Sequence, residues 1–161
     1  MESWASPAMS APRAISPPSR AASSSRSAPA TKRWRIAVDA PPEAKVVGVP
    51  HGLDTLLRNL IENAASFALP VGEAPARVVV KVVSEAASVR VRVTDSGPGI
   101  PADALDRVFT RFFTTRRARG TGLGLALVRA VAEAHGGEVK VTSEPGCGAT
   151  FEVVLPRSPP G

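Results

Sequence analysis

HGLDTLLRNLIENAASFAL, residues 51–69, decides the fold. Leu53, Leu56, Leu57, Leu60, Ile61, Ala64 and Ala68 recur at the i, i+3, i+4, i+7 spacing of one helix face. Pro70 stops the helix. The apolar stripe is of moderate width. Asn59 and Asn63, four residues apart, share one edge of it, and Glu62 falls on the opposite, wetter face. Before the helix, Trp34–Asp39 alternates as a short strand, Pro41-Pro42 breaks it, and Lys45–Val49 is a second short apolar run ended by Pro50. After it, Arg77–Val83 is a valine-rich run. Ser88–Thr94 alternates strictly, with Val89, Val91 and Val93 on one side and Arg90, Arg92 and Thr94 on a solvated side. Ala102–Val108 reads as a short helix with Pro101 at its start. Gly122–His135 reads as a second long helix with the stripe Leu123, Leu127, Ala130, Val131 and Ala134, closed by Gly136-Gly137. Glu138–Thr142 and Ala149–Leu155 form a closing hairpin, and Pro156 ends the fold. Strands, helix, strands, helix and hairpin predict an α/β two-layer sandwich: a mixed, mostly antiparallel sheet with helices on one face.

The 161 residues, 43% hydrophobic and 21% charged, suit one domain. No stretch approaches the roughly 18 apolar residues of a membrane span, and a single cysteine, Cys147, excludes a disulfide framework or a multi-cysteine zinc site. The net charge of +6 suggests nucleic acid only until it is mapped. Arg13, Arg20, Arg26, Lys32, Arg33 and Arg35 face only Glu2 in residues 1–35, which leaves the rest of the chain at +1. A phosphate-tracking surface concentrates charge on the fold, so no nucleic-acid partner is expected. Residues 1–31 are dominated by Ser, Ala and Pro and read as a disordered leader. Their Arg-rich, acid-poor composition also fits an organelle transit peptide, but not a secretory signal. The domain is expected over 32–156 and a tail over 157–161.

Three motifs carry chemistry. Asn59 and Asn63 offer two neutral amide oxygens to one point, a donor set that suits magnesium held between protein and nucleotide. Two helix-surface asparagines satisfied by water would read the same, although Asn is a poor helix former. In Asp95-Ser96-Gly97-Pro98-Gly99 a carboxylate ends a strand beside a backbone that a ligand can approach. Asp95 can accept from the exocyclic amine of adenine and repel the oxygen of guanine, a charge-assisted bond of about 1.5–3 kcal/mol. A plain turn has the same composition. Gly120-Thr121-Gly122-Leu123-Gly124-Leu125 opens a helix where glycines and free N–H groups can surround an anion. Its spacing is neither a Rossmann fingerprint nor a P-loop, and a glycine-rich helix start with no ligand is the alternative.

Together these motifs resemble the ATP-binding domain of sensor histidine kinases, in the Bergerat-fold superfamily that also holds gyrase, mismatch-repair and chaperone ATPases. LLRNLIENA is similar to the N box, DSGPGIP to the first glycine box, VFTRFFTTR to the phenylalanine box and GTGLGLALV to the second glycine box. HGGEV and PGCGATFEVVLP are similar to the family's closing strands. The resemblance covers about residues 34–156. It implies ATP and Mg²⁺ as cofactors. Asn63 would coordinate the metal, Asn59 would lie near the phosphates, and Asp95 would read adenine between Gly97 and Gly99. Thr150 would support Asp95 through its hydroxyl or a shared water. Phe109, Phe112 and Phe113 would anchor a lid over about 101–120. Gly120, Thr121, Gly122, Leu123 and Gly124 would line the triphosphate. Arg116 would neutralise phosphate where the family often has Lys.

Asn59 separates two chemistries within the superfamily. Gyrase-like, chaperone-like and anti-sigma serine kinase members typically carry a Glu there, and an amide cannot act as general base. The resemblance therefore implies γ-phosphoryl transfer, rather than hydrolysis, to a histidine on another chain or a missing segment, with a phosphoacceptor domain and a response regulator as partners in trans and a cytoplasmic location. An anti-sigma-type serine/threonine kinase and a non-catalytic, nucleotide-gated interaction module are the alternatives. Neither His51 nor His135 has the family's acceptor pattern, His-Glu/Asp followed by Pro. That departure leaves a split kinase, a truncated product or an excised domain as readings of the chain. Cys147 in its turn, Trp4, Trp34, and Arg90 and Arg92 receive structural or incidental readings.

Overall fold

The computed structural model describes residues 34–114 and 120–157. The leader, Arg116 and the last four residues lie outside the described residues. Eight elements follow in chain order: β1 (Trp34–Asp39), α1 (Pro50–Phe67), β2 (Ala76–Ser84), β3 (Ser88–Asp95), α2 (Ala102–Leu105), α3 (Gly124–Ala134), β4 (Glu138–Ser143) and β5 (Ala149–Pro156). The sheet order is β1-β2-β3-β5-β4. Only β1 and β2 run parallel, because α1 is the crossover between them. The other three pairings are antiparallel, so the expected α/β sandwich is the one found.

Strand alternation sends every second side chain to one face. Val78 and Val80 of β2, Val89, Val91 and Val93 of β3, and Phe151, Val153 and Leu155 of β5 are buried against the helices. Leu56, Leu60 and Ala64 of α1 close over them, with Ala68 just beyond the helix. Leu57, assigned to the same stripe, stays 36% exposed at its margin.

The α3 stripe is displaced from the predicted one. Val128 and Ala132 are buried, whereas Leu123 and Leu127 are 43% and 42% exposed and Ala130 and Ala134 face solvent. In GLALVRAVAEA only Arg129 and Glu133 mark a polar arc, and the apolar residues cover a wider arc than the one the fold buries. Lys45–Val49 forms no strand: Val46 makes one bridge to Arg157, and the Val49 N–H donates to His135 Nε2 at 3.1 Å. The other ring nitrogen of His135 lies 2.7 Å from the Val131 carbonyl, which can only accept, so Nδ1 carries the proton. His135 thus ties the end of α3 to the start of α1. Arg157, placed in the tail, instead belongs to the fold, its N–H donating to the Ala87 carbonyl at 2.9 Å.

The other sheet face is polar. Arg90 and Arg92 are not merely solvated: Glu152 accepts from Arg90 at 2.7 Å and from Arg92 at 2.5 Å, and Glu85 accepts from Arg90 at 3.1 Å. The Arg92 hydrogen bond leads in holding the Glu152 carboxyl below its ordinary range. Its stabilising effect is therefore present at neutral pH and lost as pH falls through the lowered folded value. Glu152→Ala is expected to cost about 1–2 kcal/mol at neutral pH and less in acid, measured by urea denaturation; equal cost at both would contradict the network.

Candidate functional site

β3 ends at Asp95 because Gly97-Pro98-Gly99 cannot continue it. The carboxylate is 5% exposed, the one charged residue buried among the described residues. Burial pushes its pKa up, and the N–H groups of Gly97 and Ala149 oppose that rise. The Gly97 N–H donates at 2.7 Å. A Cβ on Gly97 would lie 2.7 Å from the Phe67 carbonyl oxygen, so only glycine fits between β3 and the end of α1.

A cleft of about 880 Å³ opens from Asp95 between α1, the 95–100 loop and residues 108–114 and 120–125. That size suits a small organic ligand. Asn59, Asn63, Asp95, Gly99, Gly120, Thr121, Gly122 and Gly124 all line it. Glu62 lines it as well: it is exposed, but at the cleft rim rather than on a far face. Asn59 Nδ2 donates to the Thr55 carbonyl at 2.8 Å. A helix carbonyl only accepts, so the amide oxygen faces away from it. That oxygen lies 3.0 Å from where a Cβ on Gly124 would sit. Asn59 therefore presents an acceptor to the first turn of α3, where the N-cap Leu123 provides no side-chain cap. Leu123 points outward, 43% exposed, and does not line the cleft.

The phenylalanines divide their roles. Phe109 meets Phe151 edge-on, with centroids 6.2 Å apart. Phe113 lies under the Arg107 guanidinium at 4.9 Å and lines the cleft. Phe112 does not anchor by its side chain, which is 74% exposed. Its backbone does the work: φ is +66°, and its N–H donates to the Gly122 carbonyl at 2.8 Å.

Thr150 is also corrected. Its hydroxyl lies 2.9 Å from that of Thr94, on the face of the sheet away from the cleft. Along β5 the buried positions are Ala149, Phe151, Val153 and Leu155, so Thr150 points away from Asp95. The backbone of Ala149 makes the contact assigned to the Thr150 side chain. A backbone donor leaves no mark in residue identity, which is why sequence reasoning missed it.

One end of the cleft thus holds a buried carboxylate, and the other holds amide oxygens and a glycine-rich helix start. Among the described residues no three His, Cys, Asp or Glu side chains gather as a metal cage. The donor set suits a divalent cation that brings phosphate oxygens with it. Fold and site together define a nucleotide-binding α/β sandwich. The family model for histidine kinase-, DNA gyrase B- and HSP90-like ATPases matches residues 48–159, and the chain belongs to that family. It is 39% identical over 129 residues to the sensor-like histidine kinase SenX3 of Mycolicibacterium smegmatis, covering 77% of this chain and 33% of that protein. It is 46% identical over 108 residues to the sensor histidine kinase ZraS of Escherichia coli, covering 66% of this chain and 22% of that one. The chain thus spans a third or less of these curated relatives. Among solved structures, the mycobacterial sensor histidine kinase MprB superposes with a TM-score of 0.68 at 33% identity, covering 79% of this chain and 84% of that one. Full-length ShkA, solved in complex with AMPPNP, gives 0.68 at 31% identity, covering 81% and 27%.

Proposed function

We propose that this domain binds ATP with Mg²⁺ in the cleft and donates the γ-phosphoryl group to a histidine on a separate acceptor domain. A response regulator would act downstream, and the location would be cytoplasmic. Among the described residues no helix is long and apolar enough to cross a membrane. Asp95 accepts the adenine amine, Gly99 shapes the wall beside it while Gly97, off the cleft lining, holds the carboxylate through its N–H, and the N–H groups from Gly120 to Gly124 face the phosphates. The bound cation neutralises phosphate charge, with Asn63 as its protein ligand. Arg116, outside the described residues, is proposed to neutralise phosphate further.

The observation that carries this reading is Asn59. Its amide is held by Thr55 beside α3, at the position where, by the resemblance, hydrolytic members of the superfamily carry a glutamate base. Transfer to an imidazole nucleophile requires positioning and charge neutralisation rather than proton abstraction by the domain. Neither histidine of the sequence lines the cleft, and His135 has both ring nitrogens engaged. The acceptor is accordingly proposed to lie on another chain or on a further segment of a longer protein.

The test is incubation of the full chain with γ-labelled ATP and a helical-hairpin acceptor domain from a related sensor kinase. The expected product is an acid-labile, base-stable phosphoprotein. An acid-stable phosphoserine, formed on an added antagonist protein, would favour the serine kinase reading; ATP binding with no transfer to any acceptor would favour a nucleotide-gated module.

A further inference from the structure

The β4–β5 turn packs directly beneath the loop that carries Asp95. The Gly146 N–H donates to the Pro98 carbonyl at 2.6 Å. A Cβ on Gly99 would lie 3.1 Å from the Pro145 Cα. Between the two segments sits Ser143, half-buried at the end of β4. Its Oγ accepts the Ile100 N–H at 2.8 Å and donates to the Gly148 carbonyl at 2.6 Å. One hydroxyl therefore holds both the exit of the Asp95 loop and the peptide that leads into Ala149, whose N–H bonds Asp95.

Resting on the proposed nucleotide reading, we infer that Ser143 is a positioning residue for base recognition: through Gly148 and Ile100 it fixes where the Asp95 carboxylate meets the exocyclic amine. Ser143 does not itself line the cleft, although its partner Ile100 does. Without its hydroxyl the Ile100 N–H and the Gly148 carbonyl lose their shared partner, and the loop and β5 no longer move as one. The loss falls on the base end of the cleft and spares the amide end around Asn59 and Asn63.

The test compares ATP with inosine triphosphate, which carries an oxygen in place of the amine, in competition against a fluorescent ATP analogue on the full chain. The unaltered chain is expected to prefer ATP. Ser143→Ala is expected to weaken ATP about tenfold and inosine triphosphate far less, so the preference narrows. Ser143→Thr, which keeps the hydroxyl, restores it. Ser143→Cys keeps the side-chain volume with a weak hydrogen-bonding group and should narrow the preference too, which preserves the test should the alanine variant not fold. Unchanged ATP affinity in the alanine and cysteine variants overturns the inference. An equal loss for both nucleotides also overturns it, since that marks a role in the fold alone. Failure of the unaltered chain to bind ATP would instead overturn the nucleotide reading beneath it.

Discussion

Asp95→Asn is expected to weaken ATP binding by about 10- to 150-fold while leaving the melting temperature of the nucleotide-free protein nearly unchanged. The carboxylate is buried at the base of the cleft and already accepts the N–H groups of Gly97 and Ala149. Its remaining acceptor capacity faces the cleft. An amide at that position can turn its nitrogen toward the adenine amine, donor against donor, and in any orientation it lacks the charge. Burial raises the Asp95 pKa, so the folded state holds the proton more tightly than the unfolded chain does. The contribution of this group to stability is therefore greatest in acid and declines as pH rises through the raised folded value. Removing the charge thus does not cost the fold what it costs the ligand. For binding the sign is opposite: only the ionised carboxylate accepts from the amine. ATP affinity is expected to fall on acidification, beginning at higher pH than for an ordinary aspartate, and the affinity left in Asp95→Asn should not follow that step. Calorimetric titration of both proteins from neutral into acid pH, with thermal scans beside it, checks each part. Equal affinity in the two would leave Asp95 without a role in base recognition.

What could be read from the sequence and what could not divide along one physical line. Positions whose side chains choose between water and core were legible. Alternation in Ser88–Thr94 placed Val89, Val91 and Val93 correctly, and the spacing of Leu56, Leu60 and Ala64 placed α1. In α3 only Arg129 and Glu133 mark a polar arc, the remaining apolar residues span more of the helix than the fold buries, and the stripe came out displaced from Val128 and Ala132 to Leu123 and Leu127. Asp95 was singled out as a carboxylate at a strand end beside glycines, although a plain turn has the same composition and the resemblance to the first glycine box is what favoured a site there. Its support was not legible, because Ala149 acts through its backbone and the pairing of Thr94 with Thr150 depends on the register of strands far apart in sequence. Glu62 was misplaced because helical geometry fixes its angle on α1 but not how wide a cleft opens beside the helix.

That same register produces the largest stability effect. Gly146 and Gly148 share one turn, and both have φ in the left-handed region, +84° and +79°. A Cβ on Gly146 meets nothing within 4 Å. Gly146→Ala is therefore expected to cost only the conformational strain, about 1–2 kcal/mol. A Cβ on Gly148 would fall on the Asp95 carbonyl oxygen and 3.0 Å from its carbon. That backbone cannot yield easily. β3 is paired on both sides, with β2 and with β5, and the Asp95 side chain is tied by Gly97. Relief has to come from β5 separating from β3, which disturbs Phe151 and Val153 in the core. Gly148→Ala is expected to cost more than about 4 kcal/mol, lowering the melting temperature by more than about 10 °C, against about 5 °C or less for Gly146→Ala. Differential scanning calorimetry of the two variants makes the comparison. The identical substitution at two left-handed positions of one turn cancels the strain and isolates the contact. Matching melting temperatures would mean that the turn can slide away from Asp95, and a loop so loosely seated could not hold a carboxylate in register with a purine.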